Sequence, residues 1–342
     1  MGAPMAGVSG GLLAAATSRA GALGFIAAGH LADPEFLREQ VRLFRSGAPD
    51  AQLALGFIGY SSTSDGFERL QAALDEHRPA VVQFFAPALI AEADCPHRNV
   101  ELAHAAGAKV IAQVGCVRDA EAAFTAGVDC VIAQGREAGG HGLRTELGSG
   151  TLPLAARIVT LARKHAAAGG VDGRRPVVLA AGGISDGRGL AAALALGCDG
   201  VVLGTRLWAS REAMGHDSLK QALVGADADD VMRTTVFDTI LNVDNPRAWP
   251  MPYDSVGALA NETTDEWHHR PQHLEAALAA SRDVVEKFAA AAGDPKRVQV
   301  LSGEGIGDVE AIQPAEQIIH DVEAEAIAQI AMLRELVVAT GI

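Results

Sequence analysis

The chain has 342 residues, of which 49% are hydrophobic and 4% aromatic, and its formal net charge at pH 7 is −14. This length suits one barrel-sized α/β domain with an embellishment, and the hydrophobic fraction is enough to bury a large core. The acidic balance, with no basic patch among aromatics, argues against nucleic-acid binding, and no apolar run reaches the roughly 18 residues that a membrane span needs.

Eight short, nearly continuous apolar runs are the predicted strands. Such runs are typical of parallel strands that are buried on both faces. In chain order they are residues 3–5, 23–27, 52–57, 80–84, 109–114, 130–133, 177–180 and 200–203. Helices are predicted between them, among others over 33–45, 66–77, 119–126 and 185–196, the last with Ser185 as N-cap.

The alternation of strands and helices predicts a TIM (β/α)₈ barrel. A doubly wound sheet is less favoured because no GxGxxG fingerprint follows the first strand. After residue 210 the alternation stops, so residues 211–300 are predicted to form a smaller, mainly helical inserted lid or substrate domain, with one helix over 272–292. A last amphipathic helix over 314–338 completes the barrel domain, which is predicted to comprise 1–210 and 301–342.

Four large side chains of the insertion have two interpretations. Trp249, Met251, Tyr253 and Trp267 either cap the active site and set substrate size, or form the small core of the insertion itself.

Glycine turns follow the last two predicted strands. The segments AAGGIS at 180–185 and VVLGTR at 201–206 place Gly182, Gly183, Gly204 and Thr205 at the carboxyl ends of these strands. Barrels commonly bind phosphate there, because main-chain N–H groups of a glycine turn and a helix start point at the anion. Two such turns on adjacent strands predict a phosphate site.

A glycine-rich loop follows the sixth predicted strand. It reads AQGREAGGHG over 133–142, so four glycines flank His141. Glycines let the backbone pass close to a flat ring, and a histidine at a barrel rim can move protons near neutral pH. A histidine in such a loop is also often structural, so the loop by itself leaves both roles open.

Together these segments resemble the nitronate monooxygenase family, formerly called 2-nitropropane dioxygenases. The matching strings are APMAGVS at 3–9, AQGREAGGHG at 133–142, AAGGISDGRG at 180–189, GVVLGTRLWAS at 200–210 and SGEG at 302–305. The resemblance implies a TIM barrel with a smaller added domain and one non-covalent FMN per subunit. It also implies that dioxygen oxidises alkyl nitronates, and in some members neutral nitroalkanes, to carbonyl compounds and nitrite.

Carried over to this chain, the resemblance makes His141 the active-site base. The residues that it places at the flavin and its phosphate are Pro4, Met5, Ala6, Gln113, Gln134, Gly139, Gly182, Gly183, Val202, Leu203, Gly204 and Thr205. The chain departs from the family at 55–59, where LGFIG replaces a GVN-type segment whose Asn meets the flavin.

Two other functions remain open. An FMN- and NAD(P)H-dependent enoyl-acyl-carrier-protein reductase shares the barrel, the phosphate turns and a similar histidine loop. A non-catalytic flavin- or phosphate-binding barrel is permitted by the missing Asn. The sequence predicts no metal site, and its four cysteines without a CxxC pair fit a reducing cytoplasm. The predicted partners are the small nitro substrate and dioxygen, with no membrane or nucleic acid, and self-association into a homo-oligomer is compatible with the sequence.

Overall fold

The computed structural model describes residues 1–29, 33–59, 64–86, 95–170, 173–244, 249 and 251–340. Its strands are β1 (Ile26–Ala27), β2 (Ala54–Ile58), β3 (Val81–Phe85), β4 (Lys109–Val114), β5 (Cys130–Gln134), β6 (Gly140–Gly142), β7 (Val177–Ala181), β8 (Gly200–Val202), β9 (Val231–Thr234) and β10 (Ser255–Leu259). The main sheet has seven parallel strands in the order β1-β2-β3-β4-β5-β7-β8. The predicted strands after the first therefore coincide with the observed strands to within a few residues.

Residues 1–3 fill the gap between β8 and β1 and close the curled sheet into a barrel. The N–H of Leu203 donates to the carbonyl of Met1, and the N–H of Ala3 donates to the carbonyl of Leu203, both at 2.9 Å. On the other side, the N–H of Gly2 donates to the carbonyl of Leu23 at 2.9 Å. The extended segment therefore covers residues 1–3 and not the predicted 3–5. It ends before Pro4, because proline has no N–H to donate to a neighbouring strand.

The helices are α1 (Gly11–Arg19), α2 (Pro34–Gly47), α3 (Ser64–His77), α4 (Cys95–Ala105), α5 (Val117–Thr125), α6 (Thr151–Ala167), α7 (Gly187–Ala195), α8 (Thr205–Trp208), α9 (Asp217–Gln221), α10 (Val236–Leu241), α11 (Glu262–Trp267), α12 (Pro271–Ala280), α13 (Asp283–Ala290) and α14 (Ala315–Thr340). Asp33 caps α2 by accepting from the N–H of Glu35, as the Asp-Pro pair predicts.

Two helix predictions were wrong in detail. The N-cap of α7 is Asp186 and not Ser185, since the Asp186 carboxylate accepts from the N–H of Gly189. The Ser185 hydroxyl instead donates to Asp308 at 2.5 Å. The predicted helix over 272–292 is interrupted at Ser281, which has extended backbone (φ −158°, ψ 173°) and separates α12 from α13.

The core has two layers around the sheet. Side chains inside the barrel form one cluster that includes Phe25, Ile111, Ile132 and Val202. A larger cluster lies between the sheet and the outer helices. Because β2 to β5 are buried on both faces, their backbone is fixed, and the loops at their carboxyl ends are held in place.

A second, three-stranded antiparallel sheet in the order β6-β10-β9 joins two strands of the insertion to β6 of the histidine loop. Helices α10 to α13 of the insertion pack against one another, and α14 returns to pack on α7 and α1. The sequence patterns revealed neither β9 nor β10, because β10 reads SVGAL, a short run with small residues that carries no alternation. The domain boundaries at 210 and 301 stay a prediction.

Candidate active site

A cavity of about 380 Å³ lies at the carboxyl ends of the barrel strands, within the 300–1,000 Å³ range of small-molecule sites. Nearly all the residues that the resemblance assigns to the site line it, namely Pro4, Met5, Ala6, Gln113, Gln134, Gly139, His141, Gly182, Gly183, Val202, Gly204 and Thr205. The exception is Leu203. Its side chain is 2% exposed and belongs to the outer core, and its main chain bonds to residues 1–3.

The glycine turn after β7 requires glycine for two reasons. Gly182 and Gly183 have φ of 112° and 67°, which L side chains rarely adopt. A Cβ on Gly182 would also lie 2.8 Å from Thr151 Oγ1 and 2.9 Å from the main-chain nitrogen of Ala138. The turn therefore keeps its main chain exposed toward the cavity and close to the histidine loop.

The turn after β8 contacts the late glycine segment. The hydroxyl oxygen of Thr205 accepts from the N–H of Gly303 at 2.9 Å. The same segment packs against the histidine loop, where a Cβ on Gly139 would lie 2.5 Å from the carbonyl carbon of Ser302. The N–H of Glu304 donates to the carbonyl of Glu137 at 2.9 Å. The segments SGEG, GTR and EAGGH are thus in contact at one end of the cavity.

His141 lies on β6, which pairs with β10 so that His141 is opposite Val256. The side-chain amide of Gln134 donates to the carbonyl of His141 at 2.9 Å and ties β6 to the end of β5. The His141 Nε2 atom lies 3.0 Å from both carboxylate oxygens of Asp238. The imidazole stacks on the indole of Trp249 with ring centroids 3.7 Å apart and planes 15° apart. The ring is therefore held from two sides by residues of the insertion.

Arg233 on β9 holds the main chain of the histidine loop. Its guanidinium donates to the carbonyls of Arg136 at 3.2 Å, of Ala138 at 2.5 Å and of Ser255 at 3.1 Å. Burial lowers the pKa of Arg233 to about 10, which is far enough above neutral for the side chain to stay charged at pH 7. A buried cation thus replaces the main-chain partners that a loop of four glycines lacks.

Three glutamines line the cavity wall. The amide nitrogen of Gln83 donates to Gln113 Oε1 at 2.7 Å. The amide oxygens of Gln83 and Gln134 are buried and have no hydrogen-bond partner among the described residues. Buried carbonyl oxygens of this kind normally have a partner, so both are available to a donor on a ligand in the cavity.

The departure at 55–59 also lies in the cavity wall. Gly56, Phe57 and Ile58 line it, and this segment contains no Asn. A Cβ on Gly56 would lie 2.4 Å from the Pro4 Cβ and 3.0 Å from Gln83 Oε1. The polar group beside this strand therefore comes from Gln83 on the neighbouring β3.

The four large side chains of the insertion divide between the two interpretations. Trp249 lines the cavity and stacks on His141. The buried Tyr253 packs on Phe85 and donates from its hydroxyl to Asp119 at 2.9 Å, which joins the insertion to the barrel. Trp267 belongs to the core of the insertion, and Met251 is 69% exposed.

Sequence reasoning missed Asp238, Arg233 and Gln83. Asp238 had a detectable signal, since it is a single acid inside the apolar run VFDTIL, and a charge in that position is usually paired. Arg233 is likewise a single charged residue, between Met232 and Thr234. Gln83 is the polar residue of the strand VVQFF, where its side chain faces the inside of the barrel mouth.

Within the residues described, no helix combines the length and the apolarity that crossing a membrane would take.

Residues 54–325 match the family model described as nitronate monooxygenase. The chain is 31% identical over 346 aligned positions to a nitronate monooxygenase of Neurospora crassa, covering 95% of this chain and 88% of the relative.

Among solved structures, FabK from Thermotoga maritima is 27% identical with a TM-score of 0.75, covering 98% of this chain and 94% of that one. A nitroalkane oxidase from Streptomyces ansochromogenes, 24% identical, shares the fold with a TM-score of 0.74 over 97% of this chain and 96% of that one. These neighbours are TIM-barrel flavoenzymes, which agrees with the predicted fold. The chain belongs to the nitronate monooxygenase family and is an oxidoreductase that uses a flavin.

Proposed function

We propose that this chain oxidises alkyl nitronates, and neutral nitroalkanes after removal of their α-proton, to carbonyl compounds and nitrite, with dioxygen as the electron acceptor. The observation that carries the proposal is the placement of His141. Its ring is held between Trp249 and Asp238 in the wall of the cavity that the glycine turns also line. The family match and the nitronate monooxygenase of Neurospora crassa support nitronates as the substrate class.

FMN is the flavin that fits the lining best. The flat ring has one imide N–H, which can donate to the unpaired amide oxygen of Gln83 or of Gln134, and a ribityl hydroxyl can donate to the other. The small residues Ala6 and Gly139 leave room for such a ring beside the main chain. We propose that Pro4, Met5 and Gln113 complete this part of the site.

The phosphate of FMN would be held by the turns after β7 and β8. The positive φ of Gly182 and Gly183 leaves their main chain uncovered, and Gly204 has no Cβ to keep an anion away. The Thr205 hydroxyl already accepts from the N–H of Gly303, so its own proton remains free to be donated to a phosphate oxygen. Leu203 has no part in this proposal, because it lies outside the cavity.

Bound FMN would supply the electron-accepting chemistry and pass the electrons on to dioxygen. The chain itself contributes a base and a dry, shaped pocket. His141 takes the α-proton of a neutral nitroalkane, which turns it into the nitronate. Phe57, Ile58 and Phe85 give the pocket apolar walls, and Trp249 covers one face of the imidazole. A short alkyl nitro compound suits this lining.

The test measures nitrite formation and oxygen consumption with propyl nitronate and with 1-nitropropane. We expect His141→Asn to keep its flavin and to lose turnover of 1-nitropropane by on the order of 10²–10⁴-fold, the usual contribution of a general base. His104→Asn is the matched control, since His104 pairs with Asp129 away from the cavity, and it should leave turnover unchanged. A His141→Asn protein without flavin would show that His141 is structural, and absence of nitrite from the wild type would contradict the proposed function.

A second candidate function is NAD(P)H-dependent reduction of an enoyl-acyl-carrier-protein substrate. The similarity to FabK over nearly the whole chain is consistent with it. Oxidation of NADH or NADPH that depends on crotonyl thioester, without nitrite from propyl nitronate, would favour this candidate. Nitronate-dependent nitrite without thioester reduction would exclude it.

We also propose that the protein works in the cytoplasm, that residues 211–300 act as the lid or substrate domain on the barrel, and that homo-oligomers can form. The contacts of Trp249 and Asp238 with His141 support the second of these proposals.

A further inference from the structure

Asp238 is a buried carboxylate whose only hydrogen-bonding partner, within the part of the chain that the structure describes, is His141. Its side chain is 3% exposed, and both of its oxygens lie 3.0 Å from His141 Nε2. A buried charge without a partner is strongly destabilising, so the two side chains depend on each other. The pair joins positions 97 residues apart in the chain.

The position of Asp238 is fixed by the helix that carries it. Asp238 lies in the first turn of α10. Its neighbours Val236, Phe237 and Ile240 are at most 4% exposed and anchor the helix in the insertion. The carboxylate therefore meets the imidazole from a packed helix and not from a loop.

We propose that Asp238 is a positioning residue for His141, a role that rests on the proposed function of this site. Asp238 accepts the proton on Nε2 and so fixes the tautomer, which leaves Nδ1 as the basic nitrogen. Nδ1 has no hydrogen-bond partner among the described residues, and His141 lines the cavity. The stacked Trp249 prevents the ring from turning away.

The proton transfer balances without a further reactant. The α-carbon–hydrogen bond of the nitroalkane breaks and its electron pair forms the carbon–nitrogen double bond of the nitronate. The π pair of the nitrogen–oxygen double bond moves onto oxygen, which takes the negative charge, and the proton moves to Nδ1. The imidazolium that results carries a positive charge next to the Asp238 carboxylate, which stabilises it in a site of low dielectric. A nitronate has already lost this proton, so its oxidation does not use the pair.

The two substrates therefore separate this role from a structural one. For Asp238→Asn we expect flavin reduction by 1-nitropropane to slow by on the order of 10–100-fold, the range found for carboxylates and carbonyls that orient metal-bound histidines. Reduction by propyl nitronate and the flavin content should stay within about threefold of the wild type, because neither needs the negative charge. Asp238→Glu, which restores the charge, should recover part of the lost rate.

Asp244→Asn is the matched control. Asp244 is an exposed aspartate of the same insertion and pairs with Arg282 at the surface. This variant should behave as the wild type with both substrates. Equal slowing of both substrates by Asp238→Asn would show a structural role and overturn the inference, as would an unchanged rate with 1-nitropropane. A wild type that oxidises propyl nitronate and leaves 1-nitropropane untouched would also overturn it.

A measurement without substrate keeps this inference separate from the proposed function. In nitrogen-15 NMR of histidine-labelled protein, the ring of His141, assigned by comparison with His141→Asn, should have a protonated Nε2, an unprotonated Nδ1 and a downfield N–H proton. That signal should be absent from His141→Asn and lose its downfield shift in Asp238→Asn. If the signal behaves in this way while no nitro compound reduces the flavin, the proposed function fails and the link between the two side chains stands. If the signal is the same in Asp238→Asn, the link itself is refuted.

Discussion

Replacing Arg233 by Met tests how the glycine-rich histidine loop is held. Methionine keeps the length and apolar contacts of the side chain but removes the donors to the carbonyls of Arg136, Ala138 and Ser255. A carbonyl that loses its donor costs about 1–3 kcal/mol, and three such losses near the low end of this range give about 3–5 kcal/mol. With an unfolding entropy of about 2.1 cal/mol/K per residue, 342 residues give about 0.7 kcal/mol/K, so we expect Tm to fall by about 4–7 °C.

The assay is calorimetry or dye-monitored melting at pH 7, with added FMN and without it. The loop lines the cavity, so the fall in Tm should be accompanied by weaker flavin binding, measured by fluorescence titration. Arg282→Met is the control, because Arg282 is an exposed arginine of the same insertion whose solvent-screened ion pair contributes little to stability. If Arg233→Met melted within 1 °C of Arg282→Met, the reasoning about the buried guanidinium would be refuted.

Two further predictions concern a glycine and a histidine. Gly182→Ala should weaken flavin binding by about tenfold or more, because φ is 112° and the new Cβ would meet Thr151. Gly107 also has positive φ but lies in open space, so Gly107→Ala should lower stability without changing flavin affinity. Equal flavin titrations for both variants would contradict this. Burial lowers the pKa of His77, and the nearby arginines lower it further. Below about pH 6.5 the unfolded chain therefore binds more protons at His77 than the folded chain does. The free energy of unfolding should thus fall as pH decreases from 7 to 5. His77→Asn should show a shallower fall of Tm over this range, and parallel curves would refute the assignment.

The sequence predicted the barrel and the glycine turns of the cavity because both depend on local patterns, whereas most of the other lining residues came from the family resemblance. Continuous apolar runs such as 109–114 mark strands buried on two faces, and glycine turns at 182–183 and 204 follow such strands directly. In a parallel barrel the carboxyl ends of all strands lie at one rim, so their loops come together without further information. The side chain of Leu203 faces the outer core and not the cavity, because alternate residues at a strand end point to opposite sides.

The environment of His141 could not be predicted in the same way. Its partners Asp238 and Trp249 come from the insertion, which has no repeated pattern, and their approach depends on the pairing of β6 with β10 across more than 100 residues of chain. The His141 segment, GHG, has no strand pattern of its own and becomes extended because β10 offers it a partner. Long-range pairing of this kind leaves only weak traces in sequence, such as the lone acid in VFDTIL.

The central claim is that a nitronate, and not a nicotinamide, supplies the electrons at the site of His141. Purified protein should be loaded with FMN and mixed without oxygen with propyl nitronate, NADH or NADPH in separate experiments while the visible flavin absorbance is followed. The proposed function predicts fast bleaching by propyl nitronate and no bleaching by either nicotinamide on that timescale. Fast bleaching by NADH or NADPH with none by propyl nitronate would contradict it and favour the reductase.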